Sequence, residues 1–245
     1  MSSPPPASDS EGHIPSVQVT VLAAVRPLVQ SVYDRILRPH LPRKLSVCRG
    51  DVLARTSRLL DSTDIRPDYE AALLDGIERA VAPGERVCIV GGGAGVSAVV
   101  AAQAGASTII VYEASVVQAG IIRETAHLNE VDKQIVVSHA RVGAIRHSYG
   151  MVGEPDVIAP ADLPACDVLV LDCEGAEQDI LSALSTQPRA LVVETHGCFG
   201  SPTQEIHRLI EGGSYGYLVV SKERVNRDKD ISVLVAVRDG RREPA

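Results

Sequence analysis

A run of glycines in the middle of the chain is the part of the sequence best suited to hold a cofactor. The apolar residues 87–90 lead directly into the sequence GGGAG at 91–95. Glycine permits a tight turn and lets a ligand approach bare backbone, and the N-terminus of a following helix presents unpaired N–H groups. The alternative is a glycine turn that only packs a helix against a strand. We predict that a nucleotide-like cofactor binds here, on Gly91, Gly92, Gly93 and Gly95.

Two cofactors fit the same loop. Gly91, Gly93 and Gly95 give the GxGxG pattern of S-adenosylmethionine sites, whereas the spacing from Gly93 to Ala98 gives the GxGxxA pattern of dinucleotide sites. In both, an acid at the end of the next strand accepts hydrogen bonds from ribose hydroxyls, and Glu113 occupies that position. A P-loop is excluded because no GK[ST] follows the glycines.

Four more positions near the ends of predicted strands complete the expected cofactor site. Ala114 directly follows Glu113, while Ser138 and Ala140 lie at and just after the end of the third predicted strand. Asp172 follows the fourth strand, at the point where open parallel sheets bind ligands. We predict that Asp172 contacts the cofactor and also acts in catalysis; its alternative role is to cap the helix that follows.

His196 is the predicted general base. It follows the fifth predicted strand, and the near-neutral pKa of imidazole suits removal of a proton from a hydroxyl acceptor. A loop histidine that is satisfied by neighbouring backbone is an equally open interpretation. Glu194 is expected to orient His196, to bind substrate, or to be a buried structural acid.

Other acids close to Asp172 raise the question of a metal. Glu174 and Glu177 lie one helical turn apart, and we interpret both as stabilising a helix N-terminus. Asp172, Glu174 and Glu194 could together bind a divalent cation, but one sequence does not establish that they converge. The remaining candidates lack the spacing of metal ligands; they are His127, His147 and His207. The sequence therefore favours a site without metal.

The elements that position these residues alternate between short apolar runs and helical segments. Such near-continuous apolar strands are expected when helices cover both faces of a parallel sheet. The last two strands are separated by only nine residues, too few for a parallel crossover, so they are predicted to be antiparallel. The predicted fold is α/β: a Rossmann-like, doubly wound, seven-stranded sheet with an antiparallel last strand and helices on both faces. Its strands are 87–90, 108–112, 134–138, 167–171, 190–194, 216–221 and 231–237.

Local signals place several helix ends. Pro67 suits the first turn of a helix that ends near residues 83–84 and buries Leu73, Leu74, Ile77 and Val81. Ser115 with Gln118 forms a capping box for the helix after the second strand. Ser201 and Pro202 open a helix that ends at Gly212.

The N-terminal part of the chain is predicted to differ from the rest. Residues 1–13 are polar and proline-rich and read as a disordered tail. Residues 14–66 form a small appendage: an apolar run at 17–25, a short helix at 28–37, and a hairpin of 44–48 and 52–55 around the turn at 49–51. The main domain is residues 67–245.

Composition excludes several classes of partner. The 245-residue chain carries a net charge of −7 and 3% aromatic residues, so we predict neither a nucleic-acid nor a membrane binder. Five cysteines without CxxC spacing, and an N-terminus unlike a signal peptide, are typical of a cytoplasmic protein. Oligomeric state stays open.

Three segments together resemble the FkbM family of class I S-adenosylmethionine-dependent methyltransferases. They are the glycine loop with Glu113, the DCEGAE segment at 172–177, and VETH at 193–196. The resemblance implies a Rossmann-like methyltransferase that binds S-adenosylmethionine and methylates a hydroxyl oxygen on a small molecule or sugar. The chain departs from many class I enzymes at Ile89, where an acid often lies.

Two alternatives remain beside methyl transfer. One is an NAD-dependent oxidoreductase that uses the same glycines, and the other is an inactive protein that binds the donor. The antiparallel final pair of strands and the lack of a second domain after the sheet favour the methyl donor over NAD.

Overall fold

The computed structural model describes residues 32–144, 153–213 and 216–238, without the side chains of Asp34, Arg35 and Pro39. The predicted tail at 1–13, the apolar run at 17–25, the first residues of the helix at 28–37 and His147 lie outside these residues. The chain divides into two units, Met1–Arg43 with Arg58–Asp61, and Lys44–Ser57 with Ser62–Ala245. A domain boundary at residue 67 stays a prediction.

The described part of the first unit is organised around Asp61. A π-helical turn, Tyr33–Leu37, runs into a 3-10 turn, Arg38–His40. The carboxylate of Asp61 accepts hydrogen bonds from the Tyr33 hydroxyl at 3.0 Å and from two guanidinium nitrogens of Arg38 at 2.8 Å. The Arg38 hydrogen bond is the main reason that the pKa of Asp61 lies well below its usual range.

The predicted hairpin is present as part of a small sheet. Strands β1 (Arg43–Cys48) and β2 (Val52–Arg58) are neighbours, and β3 (Ile65–Arg66) pairs in parallel with the other edge of β1. The three-residue connection at 49–51 is short enough only for an antiparallel pair. Pairing of β3 was not predicted, because two residues carry no strand pattern.

The main sheet has eight strands rather than the predicted seven. The order is β10-β11-β9-β8-β4-β5-β6-β7. Only β11 runs against its neighbours, β9 and β10, so the antiparallel last strand is confirmed. The additional strand is β7, a three-residue edge strand beside β6. The strands are β4 (Arg86–Val90), β5 (Thr108–Glu113), β6 (Ile135–Val142), β7 (Asp156–Ile158), β8 (Val168–Leu171), β9 (Ala190–His196), β10 (Tyr217–Asn226) and β11 (Ile231–Arg238).

Helices cover both faces of this sheet, as the apolar strands predicted. In β4, Val87 and Ile89 belong to one hydrophobic core, while Cys88 and Val90 belong to the other. Helices α1, α2 and α3 contribute to the first core, and α4 and α5 to the second. The helices are α1 (Ala71–Ala80), α2 (Val96–Gln103), α3 (Val116–Leu128), α4 (Glu177–Ala183) and α5 (Thr203–Gly212). Within the described residues, no helix has both the length and the apolarity to cross a bilayer.

Helix ends follow the local signals in part. Ser115 caps α3, accepting a hydrogen bond from the Gln118 N–H at 3.3 Å, and α5 ends at Gly212. The prediction that Pro67 lies in the first turn of α1 is wrong, since α1 begins at Ala71. The prediction that Ser201 opens α5 is also wrong, because Pro202 is the N-cap and the Ser201 hydroxyl donates to Gly175 O at 2.9 Å.

Candidate functional site

The glycine loop lies at the carboxyl end of β4, where β8 flanks it on one side and β5 on the other. Gly91, Gly93 and Gly95 have positive φ angles of 87°, 52° and 85°. A Cβ at Gly91 would collide with the carbonyl oxygen of Asp172, so this glycine is required for the loop to pack on the end of β8. A Cβ at Gly93 would meet no atom within 4 Å. The backbone at Gly93 therefore faces open space.

The other two glycines serve packing. A Cβ at Gly92 would lie 2.5 Å from side-chain atoms of Ile122 and Val111, and one at Gly95 would lie 3.0 Å from the Ile122 backbone. These contacts bring the loop and the start of α2 against α3. The open position at Gly93 is the one that suits a ligand held against bare backbone.

Glu113 ends β5 and directs its carboxylate at this loop. The carboxylate accepts hydrogen bonds from the N–H groups of Gly92 at 3.1 Å, Gly93 at 3.2 Å and Ser115 at 2.8 Å. Burial raises the pKa of Glu113, and the backbone N–H groups oppose that rise. A carboxylate has about four acceptor positions, so Glu113 first shapes the loop and retains limited capacity for ribose hydroxyls.

The residues expected on the adenine side lie at the ends of β5 and β6. Strand β6 extends to Val142, so His139 and Ala140 belong to the strand together with Ser138 rather than to a loop after it. The His139 ring nitrogen Nε2 lies 3.1 Å from the carbonyl oxygen of Ala114. Ala140 is buried, which leaves its backbone as the part able to contact a ligand.

A cluster of acids surrounds His196 at the ends of β8 and β9. We call it the acid–histidine cluster; its members are Glu70, Asp172, Glu174, Glu177, Glu194 and His196. The Nδ1 atom of His196 lies 2.8 Å from Glu177 Oε1. Its Nε2 atom lies 3.6 Å from Asp172 Oδ1 and 3.6 Å from Glu174 Oε2. The predicted catalytic residues, Asp172 and His196, therefore lie side by side.

Glu177 is the residue that orients His196. Its side chain is fully buried, and it also accepts hydrogen bonds from the N–H groups of Cys173 at 3.1 Å and Gly175 at 3.0 Å. Burial alone would raise the pKa of Glu177, but the hydrogen bond and charge of His196 outweigh it, and the pKa falls below its usual value. The sequence offered Glu194 for this role; the contacts assign it to Glu177.

The same contacts change the pKa of His196. Burial lowers the pKa of this imidazole, but the hydrogen bond to Glu177 and the surrounding acids raise it by more, so it lies above its usual value. A neutral His196 keeps its proton on Nδ1, facing Glu177, and carries its lone pair on Nε2.

The other acids repel one another. Burial is the main reason that the pKa values of Asp172 and Glu194 are raised, and the neighbouring carboxylates add to both shifts. The pKa of Glu70 rises to about 7, mainly because neighbouring atoms crowd its carboxyl group, although the residue as a whole is exposed. Glu70 precedes α1 and was not predicted, since nothing local distinguishes it from a surface acid.

Solved structures share this fold at low sequence identity. A ribosomal protein L11 methylase from Lactobacillus delbrueckii subsp. bulgaricus has a TM-score of 0.53 and 16% identity, over 79% of this chain and 93% of that one. A Streptococcus mutans protein described as a SAM-dependent methyltransferase has a TM-score of 0.56 and 12% identity, over 91% and 66%. No protein-family model and no curated protein matches the chain. The chain thus has the Rossmann-like α/β fold of these methyltransferases.

Proposed function

We propose that this protein is an S-adenosylmethionine-dependent methyltransferase that acts on a hydroxyl oxygen of a small molecule or sugar. The observation that carries the proposal is the open backbone at Gly93, which lies beside Glu113. Gly93 follows β4, and β4 pairs with β8, the strand that Asp172 directly follows. Parallel sheets bind their ligands at this kind of switch point. The fold shared with the Lactobacillus methylase supports methyl transfer from S-adenosylmethionine but does not bear on the choice of acceptor.

The residues present suit this donor. Bare backbone around Gly93 leaves room for the adenosine half, with the remaining acceptor capacity of Glu113, the Ala114 carbonyl and Ser138 nearby as polar partners. The donor supplies a methyl group on positively charged sulfur, together with an ammonium group. Surplus carboxylates on the acid–histidine cluster favour a positively charged ligand, and they offset the lack of an acid at Ile89.

We assign the acceptor side to Asp172 and His196. Proton removal from a hydroxyl needs an acceptor within hydrogen-bond reach, and Nε2 of His196 has that lone pair when the ring is neutral. Asp172 lies beside Nε2 and between the glycine loop and His196, where it would contact both ligands. Alignment of the two substrates supplies most of the rate enhancement, and proton transfer adds to it.

The FkbM resemblance refines this proposal. Its three segments converge on one edge of the sheet: 91–95 after β4, 172–177 after β8, and 193–196 at the end of β9. The resemblance supports oxygen rather than nitrogen or carbon as the acceptor.

The test is a calorimetric titration of the full chain with S-adenosylhomocysteine and, separately, with NAD. A ligand that binds the native state also raises the melting temperature, so thermal unfolding provides a second readout. We expect binding of S-adenosylhomocysteine and none of NAD. Binding of NAD alone would replace the proposal with an oxidoreductase, and donor binding without transfer to any acceptor would support an inactive binding protein.

A further inference from the structure

The acid–histidine cluster contains a set of side chains that converge as metal ligands do. One oxygen of Asp172, one oxygen of Glu194 and one ring nitrogen of His196 all lie within 4.8 Å of one another. Two ligands at right angles around a cation with bonds of about 2.1–2.4 Å are roughly 3.0–3.4 Å apart, and opposite ligands roughly 4.2–4.8 Å. The three atoms therefore need only small rotations to share one ion.

The burial and hydrogen bonding of His196 give an independent reason to expect a ligand here. Its side chain is 4% exposed, and Nε2 makes no hydrogen bond within the described part of the chain. The other ring nitrogen is fixed by the fully buried carboxylate of Glu177. Metal-binding histidines commonly donate their second N–H to a carboxylate in this way, which directs the remaining lone pair at the ion.

The carboxylates around His196 also favour a cation at this position. One carboxylate oxygen of Asp172 and one of Glu194 lie within 4.8 Å of each other, and two carboxylates this close repel each other unless a proton or a cation lies between them. Glu174 lies a further 3.6 Å from Nε2. Within the described residues, no lysine or arginine forms a salt bridge with Asp172 or Glu194.

We propose that Asp172, Glu194 and His196 bind one divalent cation of the Mn²⁺ type. One imidazole with two carboxylates suits Mn²⁺ better than Mg²⁺, which prefers an all-oxygen shell. This reverses the expectation from sequence of a site without metal, and its catalytic meaning rests on the proposed methyl transfer. The acceptor hydroxyl takes an open position on the ion and loses its proton to water. The new O–CH₃ bond then forms as the S–CH₃ bond breaks, with the electron pair left on sulfur. His196 becomes a ligand instead of the proton acceptor.

The test follows binding of Mn²⁺ alone to the full chain, by loss of the free-ion electron paramagnetic resonance signal. We expect one ion per chain in the wild type. Asp172→Asn and Glu194→Gln should each raise the dissociation constant at least tenfold, and Glu177→Gln should raise it by about 10–100-fold as the positioning residue. Glu223→Gln, an exposed strand residue, is the control and should bind as the wild type.

Measurements of folding and of S-adenosylhomocysteine binding distinguish failure of the cation site from failure of the methyltransferase proposal. Circular dichroism shows which variants fold, and either ligand variant alone suffices if the other fails. Absence of Mn²⁺ binding to folded wild type at millimolar concentration, or unchanged binding in both ligand variants, would overturn the cation site. If S-adenosylhomocysteine still binds in those samples, the methyltransferase proposal survives; if Mn²⁺ binds and S-adenosylhomocysteine does not, only the methyltransferase proposal fails.

Discussion

Substitution of Gly93 by alanine separates a ligand-contacting role from a structural one. Gly93 has a φ of 52°, and a Cβ there would meet no protein atom. Gly84 has a φ of 85° and equally open surroundings, but it precedes β4 at the opposite edge of the sheet. Gly84→Ala is therefore a matched control, with backbone strain of the same kind and no proximity to the proposed donor.

We expect both variants to lose a similar amount of stability, but only Gly93→Ala to lose affinity for the donor. A left-handed conformation costs an alanine roughly 1–2 kcal/mol, so each variant should lose that much free energy of unfolding, or about 2–4 °C in melting temperature per kcal/mol for a chain of this size. At Gly93 the added methyl group projects into the space proposed for the donor. We expect the dissociation constant of S-adenosylhomocysteine to rise at least tenfold, about 1.4 kcal/mol, in Gly93→Ala only.

The assay pairs urea unfolding with calorimetry on the same preparations. The reasoning is refuted if Gly93→Ala binds S-adenosylhomocysteine as tightly as Gly84→Ala does. It is also refuted if Gly84→Ala loses as much affinity, because the effect would then come from strain rather than from contact.

Three further substitutions test the site's chemistry. Glu113→Gln places an amide N–H₂ against backbone N–H groups, so we expect a loss of about 2–3 kcal/mol of unfolding free energy and weaker donor binding; unchanged stability in urea would contradict the loop contacts. His196→Gln should lower kcat by about 10²–10⁴-fold with nearly unchanged donor affinity. His196 acts only when neutral, whether it accepts the proton or holds the proposed cation, and its pKa is raised, so wild-type kcat should rise with pH from above 6.5. A pH-independent wild-type rate would count against both roles. Asp172 has a raised pKa, so its ionisation costs stability as pH rises from the unfolded value of 3.8 through the folded one. In EDTA, Asp172→Asn should therefore be increasingly more stable than wild type over that range, and a pH-independent difference in unfolding free energy would exclude the repulsion described above.

The sheet could be predicted because its central strands are buried on both faces. Four residues of β4 and all four of β8 are apolar and buried, which leaves a continuous signal in the sequence. Strand β7 leaves none, since three residues form it only by pairing with β6. Pairing with β5 carries β6 through Ser138 and His139, and pairing with β7 carries it from Ala140 to Val142, beyond the predicted end at residue 138.

The start of α1 was misplaced for a similar reason. Pro67 is a sound local signal for a helix N-terminus, but Ile65 and Arg66 pair with β1 and a turn follows them before Ala71. Long-range pairing thus displaced the helix by one turn.

The candidate site could be predicted strand by strand but not across strands. Spacing identifies the loop at 91–95, Glu113, Asp172 and His196. Side chains two apart in a strand share a face, so Glu194 beside His196 was also within reach of the sequence. The acid that hydrogen-bonds to the imidazole of His196 is set by the start of α4 at Glu177. The position of Glu70 in the acid–histidine cluster depends on a turn that lies about a hundred residues before Asp172 in the chain.

Stability alone does not explain the acid–histidine cluster. Of the five described non-glycine residues with positive φ, two are Glu70 and Glu174, both acids of this cluster. A glutamate in the left-handed region costs of order 1 kcal/mol, and glycine would remove that cost. The cluster also gathers carboxylates, and burial, followed by their mutual repulsion, raises the pKa of Asp172. Backbone strain and like-charge repulsion both oppose folding, and they act at the same edge of the sheet as the open backbone of Gly93. Binding of a positively charged group would relieve the repulsion directly, which is the physical argument for the cationic ligand proposed above.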